Sequence, residues 1–328
     1  MPLNINSTLS AFFTQKNISD VVLKMSKPQS PIKDLLFPAS ARKQKASPFI
    51  AISEVKNATG AVPIVKRGAA SYPVNTGDET MEIIQPEGFR PSDFISAVDM
   101  NNFASQSTSN FNAILTEKVE ALRDRITTST EILCAQALSG TIKYPAVSAG
   151  ADTEYVVELG KAGTMTKTDI KGKDLGVLLN SLESHFVEQM KTGASTDIRF
   201  LAGIDVYAEI LKIVTASNSA NLPVQWMDWG VVLFGKYKIM PISTTYALPG
   251  KKDATTVIDP KTIKTIDLAN AGKLFYLALD DFDARLAPMP FFSKYSKSDD
   301  PSGYKIIAMS KPLPALAVSK TVDRQYLA

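Results

Sequence analysis

The sequence predicts an α+β fold, and three observations carry that expectation. Residues 46–95 form an apolar–polar ribbon, 108–139 a single unbroken amphipathic helix, and from about 160 onward helix and strand patterns alternate. The ribbon has no core of its own. Phe49, Ile50, Ile52 and Val55 run into the turn signal Asn57-Ala58-Thr59-Gly60; Val62, Ile64 and Val65 follow, and Met81, Ile83 and Ile84 repeat the pattern after Asn75-Thr76-Gly77-Asp78. Pro63, Pro73, Pro86 and Pro91 suit edge strands and bends. A lone hairpin is marginal in water, so its apolar residues need a cover, and a neighbouring copy of the same chain is the natural one. The ribbon points to assembly.

Before the ribbon, residues 1–45 read as an extended arm with docking anchors at Leu9–Phe13 and Leu35–Pro38. Its run Arg42-Lys43-Gln44-Lys45 reads as a solvated stretch of a mobile N-terminus more readily than as a phosphate contact. The helix has N-cap material at Ser105–Asn110 and Gly140 past its end. Phe111, Leu115, Val119, Leu122, Ile126, Leu133 and Ala137 keep the three-and-four spacing of a buried stripe, which lapses only at Thr127–Thr130. A hairpin over Thr141–Val147 and Tyr155–Leu159 should follow.

Past 160, helices are predicted over Asp174–Lys191 and Gly203–Ala216. Strands are predicted at Ile198–Leu201, Trp229–Phe234, Ile239–Ile242, Thr255–Ile258, Leu274–Leu279, Tyr304–Met309 and Ala315–Val318.

Composition narrows the function classes. A net charge of +3 and a pI near 8.7 are too mild for a dedicated nucleic-acid binder. The single cysteine, Cys134, precludes an intramolecular disulfide and reads as an inert core thiol. There is no signal-peptide pattern, and the longest apolar runs, near Val231–Phe234 and Leu274–Leu279, are strand-length; the expectation is a soluble protein made in a reducing cytoplasm.

The sequence holds no phosphate-loop, dinucleotide-binding, zincin or EF-hand pattern. His185 reads as structural or superficial, and Asp280-Asp281-Phe282-Asp283 and Asp299-Asp300 as solvated loops rather than cation sites. Trp226 and Trp229 read as core or subunit contacts. No catalytic, cofactor-binding or metal residue is assigned, and no enzyme is expected.

Three stretches, spaced along nearly the whole chain, carry a resemblance. They are Val62-Pro63-Ile64-Val65 with Arg67-Gly68, Ala135–Tyr144 (AQALSGTIKY), and Met309–Leu316 (MSKPLPAL). In this order they resemble the tailed-phage major capsid proteins of the Hong Kong 97 phage fold, and within them the lambda-type, major capsid protein E family.

The resemblance implies an N-terminal arm (1–45), an extended loop over the next subunit (46–95), a peripheral domain with its spine helix (96–170), an axial domain (171–287) and a return to the peripheral domain (288–328). It implies a protein that assembles with itself into hexamers and pentamers of the icosahedral head shell, in the virion, after assembly in the host cytoplasm. Partners would be a portal, a scaffold and a decoration protein, with weak contact to packaged DNA and none to membrane. Val62, Ile64, Lys66, Arg67, Met81 and Ile83 are the expected inter-subunit contacts of the ribbon. Lys66 is the one candidate for a covalent Lys–Asn link of the kind one relative makes, and its wet setting beside Arg67 argues against that chemistry. The alternatives are an encapsulin-like nanocompartment shell and a small-molecule α/β enzyme.

Overall fold

The computed structural model describes residues 5–25, 29–51, 83–104, 108–148, 151–160, 166–190, 197–216, 223–316 and 322–326. Its N-terminal part departs from the extended arm expected: it is helical and packed. Helices α1 (Ile5–Phe12) and α2 (Gln15–Lys24) meet at Thr14, whose hydroxyl caps α2 by accepting from the Asn17 N–H at 3.3 Å. Leu9, Phe12 and Ile18 are buried, so the anchors were legible but their helical spacing was passed over.

Pro31 opens α3 (Pro31–Leu36), which buries Ile32 and Leu36. The run Arg42–Lys45 is strand β1, paired in parallel with residues Gly272–Leu277, and so is not a mobile segment. Arg42 is fixed by donating to the Phe37 carbonyl at 2.8 Å and pairing with Asp34.

Strands β2 (Ile50–Ala51) and β3 (Ile83–Ile84) pair antiparallel where the ribbon leaves and rejoins the body. Next come β4 (Ser92–Ser96) and α4 (Ala97–Ala104), joined by a reciprocal cap in which the Ser96 N–H donates to Asp99 and the Asp99 N–H to Ser96, both at 3.1 Å.

The long helix is α5 (Thr108–Ala137), 30 residues. Its threonine stretch stays helical because Thr127 and Thr130 donate their hydroxyls to the carbonyls of Arg123 and Ile126, four residues back. It ends where Gly140 takes φ 85°, a conformation costly for any residue with a Cβ. The Leu138 carbonyl left over at that end accepts from the buried Lys264 ammonium at 2.9 Å.

Two cores share α5. Its first half, through Phe111, Leu115, Val119, Leu122 and Ile126, packs with α1, α2 and a three-stranded sheet. Its second half, through Ile132, Leu133 and Ala137, packs together with Leu138 just past its end against α3 and the sheet containing β1. A stripe that serves two partners explains why the periodicity runs so long.

After α5 come the hairpin strands β5 (Thr141–Ser148) and β6 (Ala151–Glu158), then β7 (Thr166–Lys167), α6 (Leu175–Met190), β8 (Ile198–Ala202) and α7 (Ile204–Ala216). Gly203 joins β8 to α7 where a Cβ would lie 2.2 Å from the Asp259 carbonyl oxygen, so only glycine fits. Strands β9 (Val224–Met227), β10 (Gly230–Leu233) and β11 (Tyr237–Pro241) form a meander; β12 (Thr245–Tyr246) and β13 (Thr255–Thr256) form a small pair.

The remaining strands are β14 (Thr262–Asp267), β15 (Gly272–Leu277), β16 (Phe292–Asp299), β17 (Ser302–Met309), β18 (Pro312–Leu316) and β19 (Val322–Tyr326). A seven-stranded sheet in the order β7-β19-β14-β8-β11-β10-β9 packs against α6 and α7 around Phe200, Ile210 and Ile239. Strand β18 lies with β15 and β1, and β16-β17-β4 make the three-stranded sheet over the first half of α5. The return expected near Pro312–Pro314 is β18, packed in the core of the second half of α5, while a further strand, β19, runs in the seven-stranded sheet beside β14.

Candidate functional site

Of the six ribbon residues expected to touch a neighbour, Ile83 alone falls among the described residues; Val62, Ile64, Lys66, Arg67 and Met81 lie outside them. Ile83 is 52% exposed at the ribbon base, while its strand partner side carries Ile50, fully buried. The base is therefore anchored on one face and open on the other.

The acidic cluster is not a solvated loop. Asp281 is buried, and Lys294 Nζ reaches both Asp281 and Asp283 at 2.6 Å. Asp281 also accepts from the backbone N–H groups of Asp283 and Ala284 at 2.9 and 3.4 Å. Burial works against ionisation of Asp281, but the Lys294 hydrogen bond and charge together with those N–H groups outweigh it and hold the carboxyl below its usual range. Lys294 is held above its usual range by the same pair against the pull of burial. Lys311, itself buried, pairs with Asp280 at 2.9 Å. Sequence reasoning missed these lysines: Lys294 is half-buried on β16 and Lys311 is buried in the turn between β17 and β18, and no local period marks either position.

Among the described residues there is no cluster of histidine, cysteine and carboxylates suited to a metal, and no helix long and apolar enough to cross a membrane. Cys134 is fully buried, and burial pushes its thiol far up, which keeps it unreactive at neutral pH. His185 is buried on α6 among the residues facing the sheet.

Trp226 is 60% exposed on β9, the edge of the seven-stranded sheet, and so is not a core residue. Trp229 is half-buried beneath Arg199, whose guanidinium lies 5.0 Å from its ring centre. Met227 and Phe234 are exposed near the same edge. An uncovered edge strand bearing apolar side chains is a template for another chain. Open apolar positions thus lie at the ribbon base, at the β9 edge and on the loop after β15, where Phe282 is 90% exposed. Phe282 was hidden from sequence reasoning by its carboxylate neighbours. An aromatic inside an acidic run was the signal.

Among the described residues the arrangement offers separated open apolar positions and no convergent polar site. Comparison with known proteins agrees. The family model described as phage major capsid protein E matches residues 14–322, nearly the whole chain. No curated protein matches the sequence. A solved structure described as the capsid protein of a prophage of E. coli CFT073 superposes with a TM-score of 0.61 at 15% identity, covering 100% of both chains. A phage-related protein of Bordetella bronchiseptica RB50 gives a TM-score of 0.48 at 10% identity, over 95% of this chain and 96% of that one. An encapsulin complex from Synechococcus elongatus PCC 7942 gives 0.45 at 9%, over 95% of each. The last two scores are too low to carry an argument; the first shows a shared fold.

Proposed function

Because the chain belongs to the phage major capsid protein E family, we propose that it builds the icosahedral head shell from its own copies, gathered as hexamers and pentamers around the phage genome. The observation that carries this is the family match across 14–322, which spans both ends of the ribbon, the spine helix and every strand up to β18. The fold shared with the prophage capsid protein supports it.

In this reading the layout is that of the Hong Kong 97 phage fold. Residues 1–45 are the N-terminal arm, which carries α1 to α3 and β1; 46–95 the extended loop; 96–170 the peripheral domain around α5; 171–287 the axial domain; and 288–328 the return, with β19 lent to the axial sheet. Val62, Ile64, Lys66, Arg67, Met81 and Ile83 contact the next subunit. Five- and six-membered rings of one protein need heterologous contacts that tolerate slightly different angles, and a ribbon rooted on four residues allows that.

The protein works by binding and not by catalysis, with a portal, a scaffold and a decoration protein as partners and only weak contact to DNA. It assembles in the host cytoplasm and resides in the virion. Expression of the chain, alone and with a scaffold, followed by electron microscopy of the sedimenting fraction, tests this: rings, shells or tubes are expected. A clean monomer at every salt and protein concentration in both cases would overturn it.

A further inference from the structure

The loop from β15 to β16 is built to hold one aromatic ring out in water. Backbone N–H groups of Asp281, Arg285 and Leu286 donate to the carbonyls of Leu279, Phe282 and Asp281 at 2.9, 2.9 and 3.1 Å, and Leu279 closes the loop on Ala287 at 3.3 Å. The Asp281–Lys294–Asp283 bridge fastens it to β16. Arg285 and Leu286 stand at φ 56° and 52°, left-handed conformations that residues with a Cβ adopt only where the surrounding contacts hold them. At the tip Phe282 is 90% and Leu286 52% exposed. A stiff loop that keeps an aromatic ring in water loses little conformational freedom when that ring is buried by a partner, which suits it to be an anchor.

Beside this loop, on the same chain, lies a cleft of about 610 Å³ between residues 87–90 and the β5–β6 hairpin. Phe89 and Tyr144 meet edge to face in its wall at 5.4 Å, and Val147 on its rim is 89% exposed. The Tyr155 hydroxyl is buried in the wall. Glu87 and Glu154 outnumber the one cation of the lining, Arg90, which faces Asp281, and the exposed Arg285 sits three residues past Phe282. Apolar tip meets apolar wall, and cation meets carboxylates. Arg90 lines the cleft and approaches Asp281 within 3.8 Å, so tip and cleft adjoin, yet the chain's own ring stays in solvent.

We infer that Phe282 of each copy enters this cleft on a second copy, with Arg285 against Glu87 and Glu154. A tip and cleft that adjoin on one surface can be satisfied mutually among a few copies, either reciprocally or in a small ring. The inference rests on the shell reading above, and its test separates the two. Wild-type protein and Phe282→Asp are compared by sedimentation, with thermal unfolding of the unassembled protein as a folding control. The variant should unfold as wild type does, because the ring is exposed, and lose shells at least tenfold. Arg285→Glu should lose them too, and Arg285→Glu with Glu154→Arg should recover them.

With Cys134 buried, Phe282→Cys and Val147→Cys give a direct readout: mixed and oxidised, they should form a disulfide dimer that neither forms alone. Wild-type shells matched by Phe282→Asp, or no mixed dimer within shells that do form, would overturn the proposal and leave the shell reading intact. Wild-type protein that never assembles would overturn both.

Discussion

At the residue scale the most consequential side chain is Asp281. Its carboxylate takes a lysine and two N–H groups inside the loop it organises, so removing its charge leaves Lys294 with Asp283 alone and weakens the hold on the loop. Asp281→Asn should cost about 1.5–3 kcal/mol, the order of a hydrogen bond to a charged group. The sign of its pH dependence follows from the direction of the shift. A carboxyl held below its unfolded value adds stability above that value and loses it as pH falls through the folded one. The gap between wild type and Asp281→Asn in urea unfolding should therefore be full at pH 7 and shrink below about pH 4. A gap unchanged at pH 3 would show that the charge is not what the loop uses. None of this was legible in the sequence, where three carboxylates within four positions read as solvent-facing; the lysine that pairs with two of them stands eleven positions beyond Asp283. Cys134 was legible, because it sits within an apolar stripe at helical spacing.

At the scale of elements, α5 was read almost to the residue, since helix period and a glycine stop are local signals. Leu122 is 1% exposed between α5 and its partners. Leu122→Asp should destabilise by several kcal/mol and leave the protein insoluble, whereas Arg125→Ala, on the exposed side, should shift thermal unfolding little. Equal effects would refute the buried face. Gly140→Ala, which must adopt φ 85°, should lose about 1–2 kcal/mol in the same assay. What sequence reading missed has a common cause. Strands β14 and β16 carry Lys264 and Lys294 inward or along the sheet, and β4, β9 and β19 are short; their partners are distant in sequence, so no local period announces them. The N-terminal helices were mistaken for an arm because each is ten residues or fewer, and their burial on α5 supplies what their propensity lacks.

At the scale of the whole molecule, two cores strung on one helix leave a body that stands without the ribbon. Replacing 52–82 by a short Gly/Ser link, with the paired base Ile50–Ala51 and Ile83–Ile84 kept, should leave circular dichroism and unfolding nearly unchanged and abolish shells. Normal particles from that variant would make the ribbon an ornament. On the proposed reading these contacts are noncovalent, so that boiled in detergent the particles should run as one band near the 35.5 kDa monomer. A ladder resistant to reductant would bring Lys66 back as a cross-linking residue. The central claim, that this chain closes a shell by laying its ribbon on its neighbours, is tested most directly by an electron cryomicroscopy reconstruction of the wild-type particles. The expected map is a closed shell with five- and six-membered rings in which residues 52–82 of each copy cross onto the next. A map in which that segment folds back on its own chain, or particles without closed rings, would contradict it.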